Sequence, residues 1–212
     1  LSVKEHHIRV ARTARYHVLG DPAHAAAIWI VLHGYGQLAR YFLNKFDGVA
    51  PDMAFVAPEG LSRFYLDEGH QRVGATWMTR EDREMEIMDQ REYLDTLADA
   101  LKAGNPGASI NVLGFSQGVA TACRWSLTGR TRIRRLILWA GSIPPEPGPN
   151  VLGQRWTDIR MDIVLGSSDP YQGEKELQAT MARLDMAGIQ YDLHRFTGGH
   201  TLEPVLLGRL VR

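Results

Sequence analysis

Short apolar runs of strand length alternate along this chain with longer segments of helical period. That alternation is the pattern of an α/β domain with a mostly parallel sheet. Ala27-Ile28-Trp29-Ile30-Val31-Leu32 is apolar at every position, which predicts a central strand buried on both faces. Runs at 54–57, 110–115, 136–140, 159–165 and 191–196 predict further strands. Ile8-Arg9-Val10 and Tyr16-His17-Val18 alternate apolar with polar residues and predict an N-terminal hairpin, bringing the total to about eight strands.

The clearest helix runs from Thr79 to Lys102, with Ile87, Leu94, Leu97 and Leu101 on one face and charges opposite. Thr79 is placed to cap it ahead of Asp82, and Gly104-Asn105-Pro106-Gly107 stops it. Helices at 39–46, 117–127, 174–187 and 202–211 supply the crossovers that parallel strands need. Two connections are long. Residues 58–78 carry Phe64, Tyr65 and Trp77 among glycines and charges and read as a functional or disordered loop. Residues 143–156 hold Pro144, Pro145, Pro147 and Pro149 and read as a stiff, extended surface link. No repeat, low-complexity tract or linker interrupts the pattern, so residues 1–212 are expected to form one domain.

Composition narrows the class of function. The 24 basic side chains balance the 24 acidic ones, and neither sign gathers into blocks, so there is no electrostatic footprint for nucleic acid or an anionic bilayer. Small neutral or weakly charged substrates fit better. The single cysteine, Cys123, excludes an internal disulfide and a CxxC metal knuckle. Residues 1–7 lack the apolar core of a signal peptide, and no window approaches the roughly 18 apolar residues of a membrane span. A cytoplasmic protein is expected. A homodimer is compatible with this composition, which does not fix the oligomeric state.

The strongest chemical signal is Gly114-Phe115-Ser116-Gln117-Gly118, a GxSxG between a predicted strand and a predicted helix. Small residues two places either side of the serine let the strand and helix meet at a sharp turn that lifts the hydroxyl above the sheet. The helix N-terminus that follows favours developing negative charge beside Ser116. A serine needs a base, and the base needs an orienting group. Functional groups in open α/β sheets gather beyond the carboxyl ends of strands. On that rule Asp169, after strand 159–165, is chosen over Asp158, Asp162 and Asp192 as the acid. His200, in the glycine turn after strand 191–196, is chosen as the base over His6, His7, His17, His24, His70 and His194. The order Ser116, Asp169, His200 is that of α/β-hydrolases. Oxyanion donors are expected from the backbone N–H of Gln117 and of Tyr35, the latter in Leu32-His33-Gly34-Tyr35-Gly36-Gln37, with His33 bracing that loop.

These four segments, Leu32–Gly36, Gly114–Gly118, Gly166–Asp169 and Gly198–His200, resemble the phospholipase/carboxylesterase family of small α/β-hydrolases, to which acyl-protein thioesterases are related. The resemblance covers nearly the whole chain. It implies a triad of Ser116, Asp169 and His200, with oxyanion N–H groups from Tyr35 and Gln117. The chain departs from the family where Gln37 follows the His-Gly turn and where Trp77-Met78-Thr79 precedes the long helix. Dienelactone hydrolases are similar in fold but use cysteine where Ser116 stands.

Trp77, Phe64 and Tyr65 are candidates for an apolar acyl wall, joined by Ile143 and Tyr171, each just after a strand end. No stretch is long enough for an inserted cap, which implies an open site. The expected activity is hydrolysis of carboxylic esters through an acyl-enzyme, with no metal and no organic cofactor. Thioesterase or lysophospholipase activity on the same machinery, and a retired hydrolase acting as a binding module, are the alternatives.

Overall fold

The computed structural model describes residues 2–146 and 148–212. Its strands are β1 (Tyr16–Leu19), β2 (Ala27–Leu32), β3 (Ala54–Pro58), β4 (Ser62–Tyr65), β5 (Val73–Thr76), β6 (Ser109–Phe115), β7 (Ile133–Trp139), β8 (Arg160–Gly166) and β9 (Tyr191–Phe196). Its helices are α1 (Ala39–Leu43), continued by a 3₁₀ turn at Asn44–Phe46, α2 (Arg83–Gly104), α3 (Gln117–Thr128), α4 (Pro149–Trp156), α5 (Glu174–Met186) and α6 (Pro204–Leu210). Seven strands form one sheet in the order β1-β3-β2-β6-β7-β8-β9, and β4 and β5 pair separately. All neighbours in the large sheet are parallel except β1 on β3.

The fully apolar β2 lies in the middle and feeds both faces. Ile28, Ile30 and Leu32 join one core with Leu94, Val119, Leu152 and Leu184 from α2 to α5. Trp29 and Val31 join the other with Phe42 and Leu207 from α1 and α6. Strand order reverses between β2 and β6, because the chain leaves β2 for β3 on one side and later returns to the other. The carboxyl ends of those two strands therefore mark a topological switch point, where open α/β sheets place their functional groups.

Several expectations change. The N-terminal hairpin does not form: residues 2–15 carry no regular structure, and β1 pairs instead with β3, whose five buried residues present an open edge. Ile8 and Val10 stay exposed, while Arg9 pairs with Glu92 at 2.9 Å and so ties this segment to α2. The segment 58–78 is not a structureless loop but contains the β4–β5 hairpin, whose four-residue strands are too short to stand out among glycines and charges. Helix α2 starts at Arg83, not Thr79, because Asp82 adopts a left-handed conformation with φ 47°, and the Thr79 hydroxyl donates to Glu81 O at 3.3 Å instead of capping. The proline-rich link ends in α4, with Pro149 in its first turn, where a missing N–H does no harm. Leu152 and Trp156 are buried there; Pro147 lies outside the described residues.

One buried carboxylate locks the helix layer. Asp95 on α2 accepts from Trp125 Nε1 at 2.9 Å and from the backbone N–H groups of Arg130 and Thr131 at 3.1 and 3.2 Å. Replacing it strands these donors away from water, so Asp95→Ala is expected to lower unfolding stability by about 2–4 kcal/mol in urea titrations. A loss below about 0.5 kcal/mol, the range of ordinary surface changes, would contradict this role.

Candidate active site

Leu32 stands opposite Gly114 in the β2–β6 register, so the His33 turn and the Ser116 turn emerge side by side. Ser116 has φ 54° and ψ −119°, a conformation that non-glycine residues rarely adopt. The neighbouring backbone explains the flanking glycines. A Cβ on Gly114 would come within 2.5 Å of Gly118 O, and one on Gly118 within 2.2 Å of Leu32 O. The Ser116 N–H donates to Trp139 O at 2.9 Å, while the Trp139 indole donates to Thr201 O at 2.9 Å. Through Trp139, the serine turn and the loop carrying His200 are held to one rim.

On that rim His200 Nδ1 lies 2.7 Å from Asp169 Oδ2. The Asp169 side chain is fully buried, and its other oxygen accepts from the N–H groups of Tyr171 and Gln172 at 2.8 and 3.1 Å. A carboxylate only accepts, so Nδ1 carries the imidazole proton and Nε2 presents a lone pair. The His200 ring lies between Phe115, 4.9 Å away, and the edge of Tyr171, 4.8 Å away. Ser116 Oγ and His200 Nε2 are not hydrogen bonded in this structure; such bonds often tighten only with substrate present. Of the carboxylates passed over, Asp162 has other partners. Asp162 is buried within β8, paired with Arg135 Nε and His194 Nε2, both at 2.9 Å.

Two peptide N–H groups expected as oxyanion donors have no acceptor among the described residues. Gln117 occupies the first position of α3, where helix geometry leaves the N–H without an intrahelical acceptor. The Tyr35 N–H donates to no acceptor among the described residues. Its orientation follows from His33, which is buried. Gly60 N donates to His33 Nε2 at 3.0 Å, so the ring's own proton sits on Nδ1 and donates to Gly34 O at 2.8 Å. A trans peptide places the Tyr35 N–H opposite the Gly34 carbonyl, so fixing one fixes the other. Burial pushes His33 below its ordinary value and keeps it neutral, as this tautomer requires.

Three further residues brace the loop, and sequence reading did not single out their roles. Gln37 Oε1 accepts from Gly34 N at 2.9 Å. The Gln117 side chain accepts from Trp77 N at 3.1 Å and donates to Met78 O at 3.0 Å, tying α3 to the end of the hairpin. Glu59, buried, accepts from Arg15 at 2.8 Å, Arg63 at 2.7 Å and Ala39 N at 3.2 Å, beside the Gly60 that holds His33. A lone Glu in a Pro-Glu-Gly turn carries no signal of burial in a single sequence; only the fold brings two arginines to it.

The five wall candidates separate. Tyr171 is exposed and touches His200. Phe64 packs on Tyr35 with ring centres 5.1 Å apart, while Tyr65, the next residue along β4, turns to the other face and stacks on His70 at 4.5 Å. Trp77 and Ile143 need correcting as wall residues. Trp77 is 1% exposed with its indole donating to His33 O at 2.8 Å, and Ile143 is 5% exposed within the core. Both point inward because the hairpin and the strand end close over them. Cys123 is likewise buried, its thiol pushed up to about 12 by burial, and is inert.

The sequence model of the phospholipase/carboxylesterase family matches residues 16–210. The chain belongs to that family. Among solved structures, this family member is similar to a carboxylesterase from Mesorhizobium loti (TM-score 0.72, 19% identity, 93% of this chain and 94% of that one). It is also similar to the Bacillus cereus carboxylesterase (TM-score 0.69, 16% identity, 93% and 91%) and to Zea mays acyl-protein thioesterase 2 (TM-score 0.68, 19% identity, 94% and 98%). At these identities the likeness is one of fold: an α/β hydrolase with no cap domain among the described residues. No curated protein matches it in sequence. No helix among the described residues is long and apolar enough to cross a membrane.

The Glu59 brace gives a pH-dependent signature for this phospholipase/carboxylesterase family member. Burial alone would raise the Glu59 carboxyl, but Arg15 and Arg63 outweigh it and hold the group below its ordinary value of 4.5. Its stabilising contribution is complete above that value and is lost as pH falls through the lower folded one. Glu59→Gln is therefore expected to cost about 1–3 kcal/mol at neutral pH, with the gap to the native protein closing on acidification. Urea titrations at pH 7 and below pH 4 check this; a gap that widens in acid would contradict it.

Proposed function

We propose that this carboxylesterase-family hydrolase cleaves carboxylic esters of small to medium acyl chains in two displacements. His200 Nε2 takes the proton of Ser116, whose oxygen attacks the ester carbonyl. The N–H groups of Tyr35 and Gln117 receive the oxyanion, and His200 returns the proton to the leaving alcohol as the carbon–oxygen bond breaks. Water then attacks the acyl-serine by the same route in reverse, releasing the acid and restoring Ser116. Asp169 holds the imidazole tautomer throughout.

The observation that carries this reading is the pairing of a strained, half-buried Ser116 at φ 54° with a His200 whose Nδ1 is fixed on a fully buried carboxylate at the same rim. The positive φ turns the hydroxyl out of the helix it precedes, at an energetic cost that functional sites commonly bear. The exposed ring of Tyr171 against His200, with Phe64 beside Tyr35, supplies apolar surface for the substrate on either side. With no inserted cap among the described residues, the site is open to varied esters.

Turnover of short p-nitrophenyl esters tests the assignment. Ser116→Ala is expected to lower kcat by about 10⁴-fold or more, and Asp169→Asn by about 10²–10⁴-fold through the wrong imidazole tautomer, both with unchanged far-UV circular dichroism. A Ser116→Ala protein that keeps most of its esterase activity would overturn the mechanism.

A further inference from the structure

Beside the His33 turn a cleft of about 550 Å³ opens between that turn (Gly36, Gln37), α1 (Tyr41, Lys45) and the β4–β5 hairpin (Leu66, Arg72). Lys45 and Arg72 are the charged residues that line it, and neither makes an ion pair with any described residue. Asp67, in the hairpin turn, is engaged elsewhere, accepting from Gln71 N at 2.9 Å. Near the site, by contrast, Arg15 and Arg63 are both paired with the buried Glu59. Cations without an ion pair to any described residue also line the clefts at Arg209 and Arg212 and at Arg132 and Arg134; what distinguishes Lys45 and Arg72 is that their cleft borders the Ser116 rim.

The cleft adjoins the reacting centre. Gln37, in its wall, accepts from Gly34 N at 2.9 Å, and a Cβ on Gly34 would stand 3.2 Å from the Ser116 Cβ. Its lining begins at Gly36, one residue past the Tyr35 N–H. With consecutive Cα atoms about 3.8 Å apart, the cleft begins one residue spacing from Tyr35, and a substrate held there can extend along it towards the two cations. Leu66 and the exposed ring of Tyr41 offer apolar contact along that path. Resting on the ester-hydrolase reading above, we infer that the substrate carries an anionic group, a carboxylate or phosphate, which lies in this adjoining cleft while the ester is at Ser116, and that Lys45 and Arg72 seat it. Both side chains are exposed, so a mobile counter-ion is released on binding and the preference weakens with salt.

Matched ester pairs test this on each side of the carbonyl. For the acid side, p-nitrophenyl butyrate is compared with the p-nitrophenyl half-ester of glutarate; for the alcohol side, phenyl butyrate is compared with its 4-phosphate. The native protein is expected to favour the anionic member of at least one pair by about ten-fold in kcat/KM, and Lys45→Gln/Arg72→Gln to remove that ratio, as should about 0.5 M salt. The arm that responds tells whether the anion belongs to acid or alcohol. No preference in either arm, or one the double variant leaves in place, overturns the inference. If the native protein turns over none of the four esters, the esterase reading fails separately, and calorimetry with phenyl phosphate then reads the cleft alone. Binding weakened about ten-fold by the double variant supports the anion seat; absent or unaltered binding refutes it.

Discussion

Three stretches of backbone meet at the end of β6 more closely than side chains permit, and the rest of the site is arranged around that contact. Gly118 sits so near Leu32 O, and Gly114 so near Gly118 O, that any Cβ at either place would overlap main-chain atoms. The approach forces the chain through Ser116 with positive φ, and it sets the first turn of α3 directly against the turn that follows β2. A hydroxyl, a free helix N-terminus and a second loop are thereby gathered at the switch point of the sheet. None of the three elements has to move to meet the others.

Behind this contact lies a layer of polar side chains whose work is to hold peptides still. His33 accepts a hydrogen bond from the Gly60 N–H and donates one to Gly34 O, so the peptide that carries the Tyr35 N–H cannot rotate without breaking a buried hydrogen bond. Gln37 fixes the other end of Gly34, Glu59 anchors the strand end that carries Gly60, and Trp77 closes over His33 with an indole bond to its carbonyl. An oxyanion donor is worth more when it needs no reorganisation during reaction. These residues supply that fixity from a buried position, where a lost partner is not replaced by water.

Much of this was legible along the chain. The all-apolar β2, the strand-turn-helix around Ser116 and the placement of Asp169 and His200 after strand ends follow from periodicity and glycine spacing, which are local signals. The β4–β5 hairpin was not legible, because strands of four residues leave too short an alternation to rise above the glycines around them. The unpaired fate of Ile8 and Val10 was equally hidden: whether β1 joins a local hairpin or the free edge of β3 depends on a partner nearly forty residues away. Trp77 read as a substrate wall because it lies in a long loop, and Ile143 because it follows a strand end, yet position along the chain does not tell which way a side chain turns. Glu59 gave no signal at all, and Gln37 only a departure from the family pattern, since each acquires its role from partners brought by the fold.

The account turns on one spatial claim, that the oxygen developing on a substrate carbonyl attached to Ser116 lies between the N–H groups of Tyr35 and Gln117. A crystal structure of the protein after reaction with an alkyl fluorophosphonate tests it directly, because the tetrahedral phosphorus mimics the reacting carbon. The expected result is a bond to Ser116 Oγ, with the phosphonyl oxygen about 2.7–3.1 Å from both nitrogens and His200 Nε2 in hydrogen-bond reach of the adduct. An adduct on another residue, or a phosphonyl oxygen turned to solvent away from both N–H groups, would contradict it.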